Sequence, residues 1–450
     1  GALDYSLFDR YVLNVSFRTD GSNNFGSDEQ FNPTWSAGAV WHVSEETFME
    51  VVRPVLSRLS LRVATGYTGN INKTVKPNLM MKYYKNFRIS DDENYRMGYI
   101  NNAPNPKLRW EKTRDVKVAL DFGLWKDRIN GIVEAYWRKS KDCVTSEYVP
   151  VTTGFFNQSY NTSVLQNNGV EFSLSVAVLK SKDYNLSVSA NVAWNQNKLK
   201  KYNSPNTSLA LDKYVGYPMG AVFSGKYEGI DPETGMYKFK LRPDAVTNKD
   251  GYLREPNNYY YYLGTSVAPF TGGFNLNFSY KNIGLSVGGS YSVKAKMVDN
   301  IESPAGYELL SGSKLESIPT PHNDLYRNHL NVKREVRNRW TPENRTGVKY
   351  PRLIDAYGKK LGLDLTNPTL TTITRGALLE DISYLRINTI ALSYSLPQRV
   401  LERINFSSAA LNLTLNNFFT ITKYSGIDPE VPGATYPVSR SVTIGLNVGF

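Results

Sequence analysis

The sequence predicts an all-β chain whose antiparallel strands form part of a barrel that crosses a lipid bilayer. Three observations lead to this fold class. Apolar and polar residues alternate in short runs along the whole chain, which is the pattern of strands with one apolar and one polar face. Tight turns alternate with long connections between the runs. The chain ends on a strand whose apolar face consists of Val442, Ile444, Leu446, Val448 and Phe450.

The composition agrees with a strand-built membrane protein and excludes a helical one. The 450 residues have a mean hydropathy of −0.41, and no segment approaches the roughly 18 consecutive apolar residues that suggest a transmembrane helix. A barrel keeps a low mean hydropathy because polar residues occupy every second position of its strands. Aromatic residues make up 13% of the chain, which suits strands and the aromatic belts at membrane surfaces.

The net charge of +12 does not indicate a nucleic-acid partner. Lys and Arg are scattered through loops and strand ends with Asp and Glu among them, and no basic stripe runs along one element. The single cysteine, Cys143, excludes an internal disulfide and a cysteine-based zinc site. We therefore expect contact with membrane lipid and no binding of DNA or RNA.

About thirteen alternating runs are predicted as strands from their period of two. The positions between the apolar residues carry polar side chains such as Asn14, Ser16, Ser173 and Asn275, which fit a wet surface better than a packed core. The runs cover residues 3–7, 11–17, 35–43, 59–67, 116–122, 129–137, 170–176, 186–194, 274–280, 283–291, 390–396, 411–415 and 442–450.

The connections predict which way the strands point. Long loops are expected near residues 68–114, 139–168, 195–270, 294–382 and 420–438, and tight turns join the strands at the other end. In outer-membrane barrels the short turns face the periplasm and the long loops face outward. Trp41 and Trp125 lie at the short-turn ends of apolar rows, whereas Trp35, Trp137 and Trp194 lie at the long-loop ends. These residues predict one aromatic girdle at each membrane surface.

The strand count predicts that these residues form only the C-terminal part of a barrel. Single-chain bacterial barrels have an even number of strands and both termini in the periplasm, so thirteen strands that end in the periplasm begin outside. Unpaired strand edges in hydrocarbon cost several kcal/mol for each unsatisfied backbone group. We therefore expect the strand that ends at Phe450 to pair with the first strand of an N-terminal part of the same barrel.

Ordered motifs resemble one family over essentially the whole chain. They resemble the TonB-dependent outer-membrane receptors of the SusC/RagA type, which are nutrient importers of the Bacteroidetes. The motifs are Asp9-Arg10-Tyr11, residues 17–22 with Phe25-Gly26, Thr68-Gly69-Asn70, residues 105–111, Asn168-Gly169-Val170-Glu171, residues 229–235, residues 339–344, residues 416–426 and Asp428-Pro429-Glu430.

The resemblance implies a bacterial outer-membrane barrel of 22 strands whose lumen is plugged by an N-terminal domain. It implies energy coupling to a TonB complex through that N-terminal region, which is expected to be absent from this chain. It also implies a SusD-like surface lipoprotein that closes over the outer mouth. The terminal Phe450 is expected to help the assembly machinery recognise the last strand.

No catalytic constellation is predicted, so we do not expect an enzyme. The three histidines, His42, His322 and His329, are interpreted as strand-end and loop residues rather than as zinc ligands. Calcium could bind through the oxygens of Asp91, Asp92, Glu93 and Asn94, or at the turn containing Asn248, Asp250 and Gly251. A polar loop is the preferred interpretation of both places, and no cofactor is predicted.

Candidate ligand contacts lie in two of the long loops. Tyr259, Tyr260, Tyr261 and Tyr262 could stack on sugar rings or peptide side chains, although belt residues or contacts with the lipoprotein are the simpler interpretation. The loop near residues 294–382 contains Trp340 among many charges, a mixture that suits a protein interface. The predicted function is uptake of oligosaccharides or oligopeptides. The alternatives are a passive porin and a soluble β-rich glycan-binding protein.

Overall fold

A computed structural model gives the structure of the chain. It describes residues 1–71, 75, 80–90, 93–155, 157–202, 214–233, 235, 237–245, 258–298, 337–350, 375–432 and 436–450. The described residues are mostly β-strand, which confirms the predicted fold class. Within these residues no helix is both long enough and apolar enough to cross a membrane.

One antiparallel sheet of 13 strands dominates the part of the chain that the structure describes, which agrees with the predicted strand count. The strands of this sheet lie side by side in the same order as in the sequence. The small strands inserted between some of them belong to other sheets and do not change this order. In order, the strands are β1 (Ala2–Leu7), β2 (Tyr11–Gly21), β3 (Phe31–His42), β4 (Leu56–Asn70), β7 (Glu111–Leu124), β8 (Ile129–Tyr148), β9 (Asn157–Lys180), β10 (Tyr184–Tyr202), β15 (Phe270–Tyr280), β16 (Ile283–Val293), β19 (Tyr384–Ser395), β20 (Ser408–Thr422) and β21 (Ser441–Gly449).

The long connections carry small sheets of two strands each. These pair β5 (Met80–Ser90) with β6 (Glu93–Asn102), β11 (Ala221–Gly225) with β14 (Tyr260–Thr265), β12 (Tyr227–Ile230) with β13 (Tyr237–Phe239), and β17 (Lys296–Val298) with β18 (Leu379–Asp381). Helical structure is limited to 3-10 turns at Val43–Glu45, Thr47–Met49, Val151–Thr153 and Arg375–Leu378 and to α1 (Gln398–Arg403) in the part of the chain that is described.

The chain divides into two compact units. The first unit contains Gly1–Met219 and Phe274–Lys281. The register of its strands pairs an apolar residue of each strand with an apolar residue of the next strand. The paired residues form one apolar row across seven strands. The row consists of Leu13, Ala39, Val63, Val118, Ala135, Val170 and Trp194. A shift by one residue would turn every one of these side chains to the other face.

The second unit contains Gly220–Gly273 and Asn282–Phe450. Its large strands repeat the same register rule. Leu285 pairs with Leu392, Leu392 with Leu413, and Leu413 with Ile444. The apolar residues that predicted the terminal strand from the sequence therefore continue the apolar row of the neighbouring strands.

The two faces of the large sheet differ in chemistry. The apolar face exposes large side chains, including Leu13, Val63 and Val170, as expected for strands that face lipid. The polar face of the first unit carries cross-strand ion pairs. Arg62 Nε lies 2.5 Å from Asp121, Lys117 Nζ lies 3.2 Å from Glu134, and Arg138 Nη2 lies 2.9 Å from Asp115. These charges are partly exposed, which indicates a water-facing surface.

Several strands extend further than their apolar alternation. The loop expected at residues 139–168 is reduced to residues 149–156, because β8 continues to Tyr148 and β9 begins at Asn157. The loop expected to begin near residue 195 likewise begins after Tyr202. Beyond the membrane both faces of a strand meet water, so the apolar alternation stops while the backbone ladder continues.

Candidate functional site

Polar side chains and sequence motifs lie on the polar face of the sheet and in the long connections of both units. Several of the motifs quoted above lie in the long connections, and the structure shows what they contact. In the first unit, the motif at residues 105–111 folds against Phe25, Gly26 and Asn161. We call the cluster formed by Phe25, Gly26, Leu108, Arg109, Trp110, Asp142 and Asn161 the loop clasp.

Aromatic and aliphatic packing holds the loop clasp together. The ring of Phe25 stacks on Trp110 with the ring centroids 4.6 Å apart, and Leu108 is only 1% exposed. The backbone N–H of Gly26 donates to the carbonyl oxygen of Leu108 at 2.9 Å. A Cβ atom at Gly26 would lie 1.6 Å from the carbonyl oxygen of Pro106, so only glycine fits this close approach.

Polar contacts tie the same loop to β8 and β9. The N–H of Arg109 donates to Asn161 Oδ1 at 3.0 Å, and Asn161 Nδ2 donates back to the carbonyl oxygen of Arg109 at 2.8 Å. Arg109 Nη2 donates to Asp142 Oδ1 at 2.7 Å, and this carboxylate raises the pKa of Arg109. The loop clasp therefore positions the loop between β4 and β7, and the motif residues within it act as scaffold.

Four tyrosines that were predicted as ligand or lid contacts lie in the second unit at the start of β14. Tyr260, Tyr261 and Tyr262 pair with Gly225, Ser224 and Phe223 of β11. The hydroxyl of Tyr261 donates to the carbonyl oxygen of Leu241 at 2.9 Å. Burial raises the pKa of Tyr259.

Of these side chains, Tyr262 is exposed, and its ring centroid lies 5.7 Å from that of Phe223. Stacking by one face of an exposed ring is the kind of contact that sugar rings use. The prediction that the four tyrosines contact a ligand or lid remains a prediction, and the structure presents Tyr262 as the accessible member.

Trp340, the other predicted contact, is buried. Its Nε1 donates to the carbonyl oxygen of Pro232 at 2.9 Å, and its backbone N–H donates to the carbonyl oxygen of Tyr350 at 2.9 Å. Trp340 thus fixes residues 337–350 to the turn between β12 and β13. Its indole packs within the loops, so contact with a partner would require those neighbours to move. The same loop also contains Tyr307 and Tyr326, which lie outside the described residues.

An aromatic cluster supports the β12–β13 hairpin. The ring centroids of Tyr227 and Tyr237 lie 5.5 Å apart with nearly perpendicular planes, and Phe239 lies 6.0 Å from Tyr227. Burial raises the pKa of Tyr237, and Tyr227 and Tyr350 add to the shift. These ring contacts hold the two strands of the hairpin together.

The pentapeptide Gly-Ile-Asp-Pro-Glu occurs twice, at residues 229–233 and 426–430, and its aspartate makes the same hydrogen bond to the backbone each time. Asp231 Oδ1 accepts the N–H of Glu233 at 2.8 Å, and Asp428 Oδ1 accepts the N–H of Glu430 at 3.0 Å. The sequence supplied both motifs but not their shared geometry. An aspartate that bonds the backbone two residues later is the signal that identifies such turns.

The second turn is anchored by a buried charge that sequence reasoning missed. Arg386 on β19 lies with Nη2 2.5 Å from Asp428 and Nη1 2.8 Å from Glu430. Asp428 Oδ2 also accepts the N–H of Val438 at 3.1 Å. Burial acts to raise the pKa of Asp428, but the two backbone N–H groups and Arg386 outweigh it and hold the pKa below its usual range. The loop between β20 and β21 is therefore fastened to β19.

The terminal strand is held at its short-turn end by the residues that precede β20. The N–H of Ser407 donates to the carbonyl oxygen of Gly449 at 2.9 Å. The ring of Phe450 packs edge-on against Phe406 with centroids 5.0 Å apart, yet it is 91% exposed. Val442, Ile444 and Leu446 are exposed on the apolar face, whereas Val448 is half-buried.

Within the described residues, no group of three or more His, Cys, Asp and Glu side chains could hold a metal ion. His322, His329, Asp91, Asp92, Asn248, Asp250 and Gly251 lie outside the described residues, as do the side chains of Glu93 and Asn94. His42 lies at the end of β3, where Nδ1 and Ser60 Oγ are 3.0 Å apart.

Comparison with known proteins gives consistent matches over the whole chain. The TonB dependent receptor-like β-barrel family model matches residues 1–418. The TonB-dependent receptor SusC of Bacteroides thetaiotaomicron is 27% identical, with 100% of this chain and 43% of SusC covered. A TonB-dependent receptor of Formosa agariphila is 26% identical, with 100% of this chain and 46% of the relative covered.

Solved structures agree with the sequence relatives. The RagAB peptide transporter matches with a TM-score of 0.78 and 25% identity, and the alignment covers 100% of this chain and 47% of that chain. The chain thus spans about half the length of the curated relatives it matches.

Proposed function

The chain belongs to the TonB-dependent receptor-like β-barrel family, and from this premise we propose that it serves in the uptake of oligomeric nutrients across the outer membrane. The observation that carries the proposal is the alignment of the entire chain with SusC and with the RagAB peptide transporter. The location in the outer membrane follows from the family. The substrate class that we assign is oligosaccharides or, as the second choice, oligopeptides.

The roles of this chain are structural and selective, not catalytic. The apolar sheet face meets lipid, and the polar face with its ion pairs lines the aqueous side. We assign an extracellular position to the loops anchored by the loop clasp in the first unit and to the loop anchored by Arg386 in the second unit. We assign the plug and the contact with a TonB complex to the part of the relatives' length that this chain does not span. We assign no cofactor to the chain, and calcium remains the weaker alternative for its acidic loops.

A SusD-like surface lipoprotein is the proposed partner at the outer mouth. The support is the similarity to SusC and RagAB, together with long loops whose aromatic residues, such as Tyr262, reach the surface. Isolation of the tagged protein in mild detergent is expected to recover a surface lipoprotein in equal amount. Recovery of the barrel alone under conditions that keep it folded would remove this partner from the proposal.

A growth screen tests the proposed function. A strain that lacks the gene is expected to lose growth on one class of oligosaccharide or peptide and to keep normal growth on the corresponding monomers. The monomers serve as the control because small solutes cross through ordinary porins. Normal growth of the mutant on every oligomeric nutrient would refute the importer function.

A further inference from the structure

The connection between β3 and β4 differs from the tight turns on the same side of the sheet. It comprises residues 43–55, whereas β1 and β2 are joined by residues 8–10. The connection is a run of helical turns. The N–H of Met49 donates to the carbonyl oxygen of Glu46 at 3.0 Å, Val52 donates to Met49 at 3.0 Å, and Leu56 donates to Val52 at 2.8 Å.

These turns place apolar side chains on one side. Phe48, Val51, Val52 and Val55 follow the spacing i, i+3, i+4 and i+7, which brings them to one face of a helical run. All four are exposed, with Phe48 at 64% and Val51 at 88%. Glu50 and Arg53 occupy the other side. We call residues 46–55 the rim segment.

Contacts at both ends place the rim segment beside the aromatic girdle. At its start, Glu46 accepts hydrogen bonds from the hydroxyl of Tyr11 at 2.5 Å and from Trp41 Nε1 at 3.1 Å. Tyr11 and Trp41 pair across β2 and β3 on the face that meets lipid. At its end, the carbonyl oxygen of Val55 accepts the N–H of Trp125 at 2.7 Å.

Two charged residues of the rim segment, Glu46 and Arg53, form ion pairs with other residues of the chain. Arg10 Nη1 lies 3.2 Å from Glu46, and Arg53 Nη2 lies 2.9 Å from Glu45. Arg53 Nε also donates to the carbonyl oxygen of Ser44 at 2.9 Å. The four apolar side chains take no part in these pairs and are exposed.

We propose that the rim segment is an in-plane membrane anchor that inserts Phe48, Val51, Val52 and Val55 into the phospholipid of the periplasmic leaflet. An amphipathic run of this kind lies with its apolar face at the boundary between headgroups and acyl chains. The segment follows a strand of the lipid-facing sheet and bonds to the aromatic residues at the end of that sheet. The bilayer is therefore the apolar surface next to these side chains. The anchor fixes the depth of β3 and β4 in the membrane.

Spin-label accessibility tests this proposal in the complete receptor that contains this chain. Cys143, the one cysteine of the chain, is replaced by serine, and nitroxide labels are placed at Val51→Cys or Phe48→Cys. Glu50→Cys on the polar side is the matched control. The protein is reconstituted in nanodiscs of phosphatidylethanolamine and phosphatidylglycerol, and collisions with oxygen and with a water-soluble nickel chelate are compared. Heat-modifiable migration shows that each variant is folded.

The anchor predicts an oxygen-to-nickel collision ratio several-fold higher at positions 51 and 48 than at position 50. Equal ratios at the three positions would overturn the proposal, since the apolar side chains would then face water. Equal ratios in nanodiscs combined with protection in native outer-membrane vesicles would also overturn it and would indicate a periplasmic protein as the partner. Nutrient uptake does not enter this readout, so its outcome is independent of the proposed function.

Discussion

The side chain of Arg386 fastens the loop between β20 and β21 to β19. Its guanidinium is buried against Asp428 and Glu430, so removing it leaves the Asp428 carboxylate with two backbone hydrogen bonds but without its cationic partner. Loss of one partner of a buried ion pair costs about 3–5 kcal/mol. We expect Arg386→Gln to make residues 423–440 sensitive to added protease in folded protein. The control Arg18→Gln breaks the exposed pair with Asp20, which contributes roughly 0–1 kcal/mol. Equal protease resistance in both variants would show that Arg386 does not fasten the loop.

The pKa of Asp428 predicts the pH dependence of the same loop. Because the folded protein lowers this pKa, the ionised carboxylate contributes stability above the pKa of an unfolded aspartate, about 3.9. That stability is lost as pH falls through the lower folded value. Protease resistance of residues 423–440 is thus expected to stay constant from neutral pH down to about 4 and to fall below it. An acid-stable protease reads this out, and Asp428→Asn should remove the pH dependence. Loss of protease resistance near pH 6 would show that a titratable group other than Asp428 controls the loop.

Gly26 provides a test of the loop clasp. Gly26→Ala introduces a Cβ in conflict with the backbone of Pro106, so the loop at residues 105–111 must shift. We expect cleavage by protease within that loop and a lower temperature of heat-modifiable migration. Gly38→Ala is the control, because a Cβ there meets its nearest atom at 3.7 Å and fits. If both alanine variants behaved like the wild type, the close approach at Gly26 would not constrain the loop.

Residue-level partners were the part of the site that the sequence predicted least. The motif at residues 105–111 and the Asp428 turn were recognised as motifs, but their contacts with Asn161 and Arg386 were not. Such contacts join positions that are distant in sequence, and their geometry depends on strand register and on bulges. One of these irregularities lies between Ile387 and Thr389, next to Arg386. Alternation alone does not predict where a bulge turns a side chain to the other face.

At the level of elements, the terminal strand is the part of the sequence from which we predict an effect on barrel assembly. Deleting Gly449 and Phe450 removes the hydrogen bond to Ser407 and the ring contact with Phe406. We expect this deletion to reduce the amount of folded barrel in the outer membrane far more than it changes the ligand affinity of the barrel that does fold. Phe8→Ala, which alters an exposed aromatic residue in the β1–β2 turn, is the control. Unchanged barrel levels with weakened ligand binding would contradict the assembly role of the terminal residues.

The strands themselves could be predicted because their apolar rows have a physical cause. Leu13, Ala39 and Val63 alternate with polar residues since one face meets lipid and the other meets water. The small sheets in the loops were not predicted. Strand β11, for example, is five residues long and pairs with β14 across a long insertion. This strand is held by its pairing with β14 and by the contact between the rings of Phe223 and Tyr262. Neither interaction produces a periodic pattern of apolar residues in the sequence.

For the whole molecule, the sequence predicted the class of protein but not its substrate. The class follows from a repeated pattern across thirteen strands and from motifs that run from one end of the chain to the other. Substrate choice depends on side chains that several long loops bring together, and no local pattern encodes that arrangement. Tyr262 is one exposed aromatic residue of the long connections from which a search for substrate contacts can begin.

Uptake of a labelled oligomer by intact cells tests the central claim most directly. The oligomer is the one whose use depends on the gene, and its accumulation is followed with and without an uncoupler of the proton gradient. TonB-driven import predicts rapid accumulation in wild-type cells that is lost both in the deletion strain and after uncoupling. Accumulation that depends on the gene but continues unchanged after uncoupling would contradict active import and would identify the protein as a passive pore.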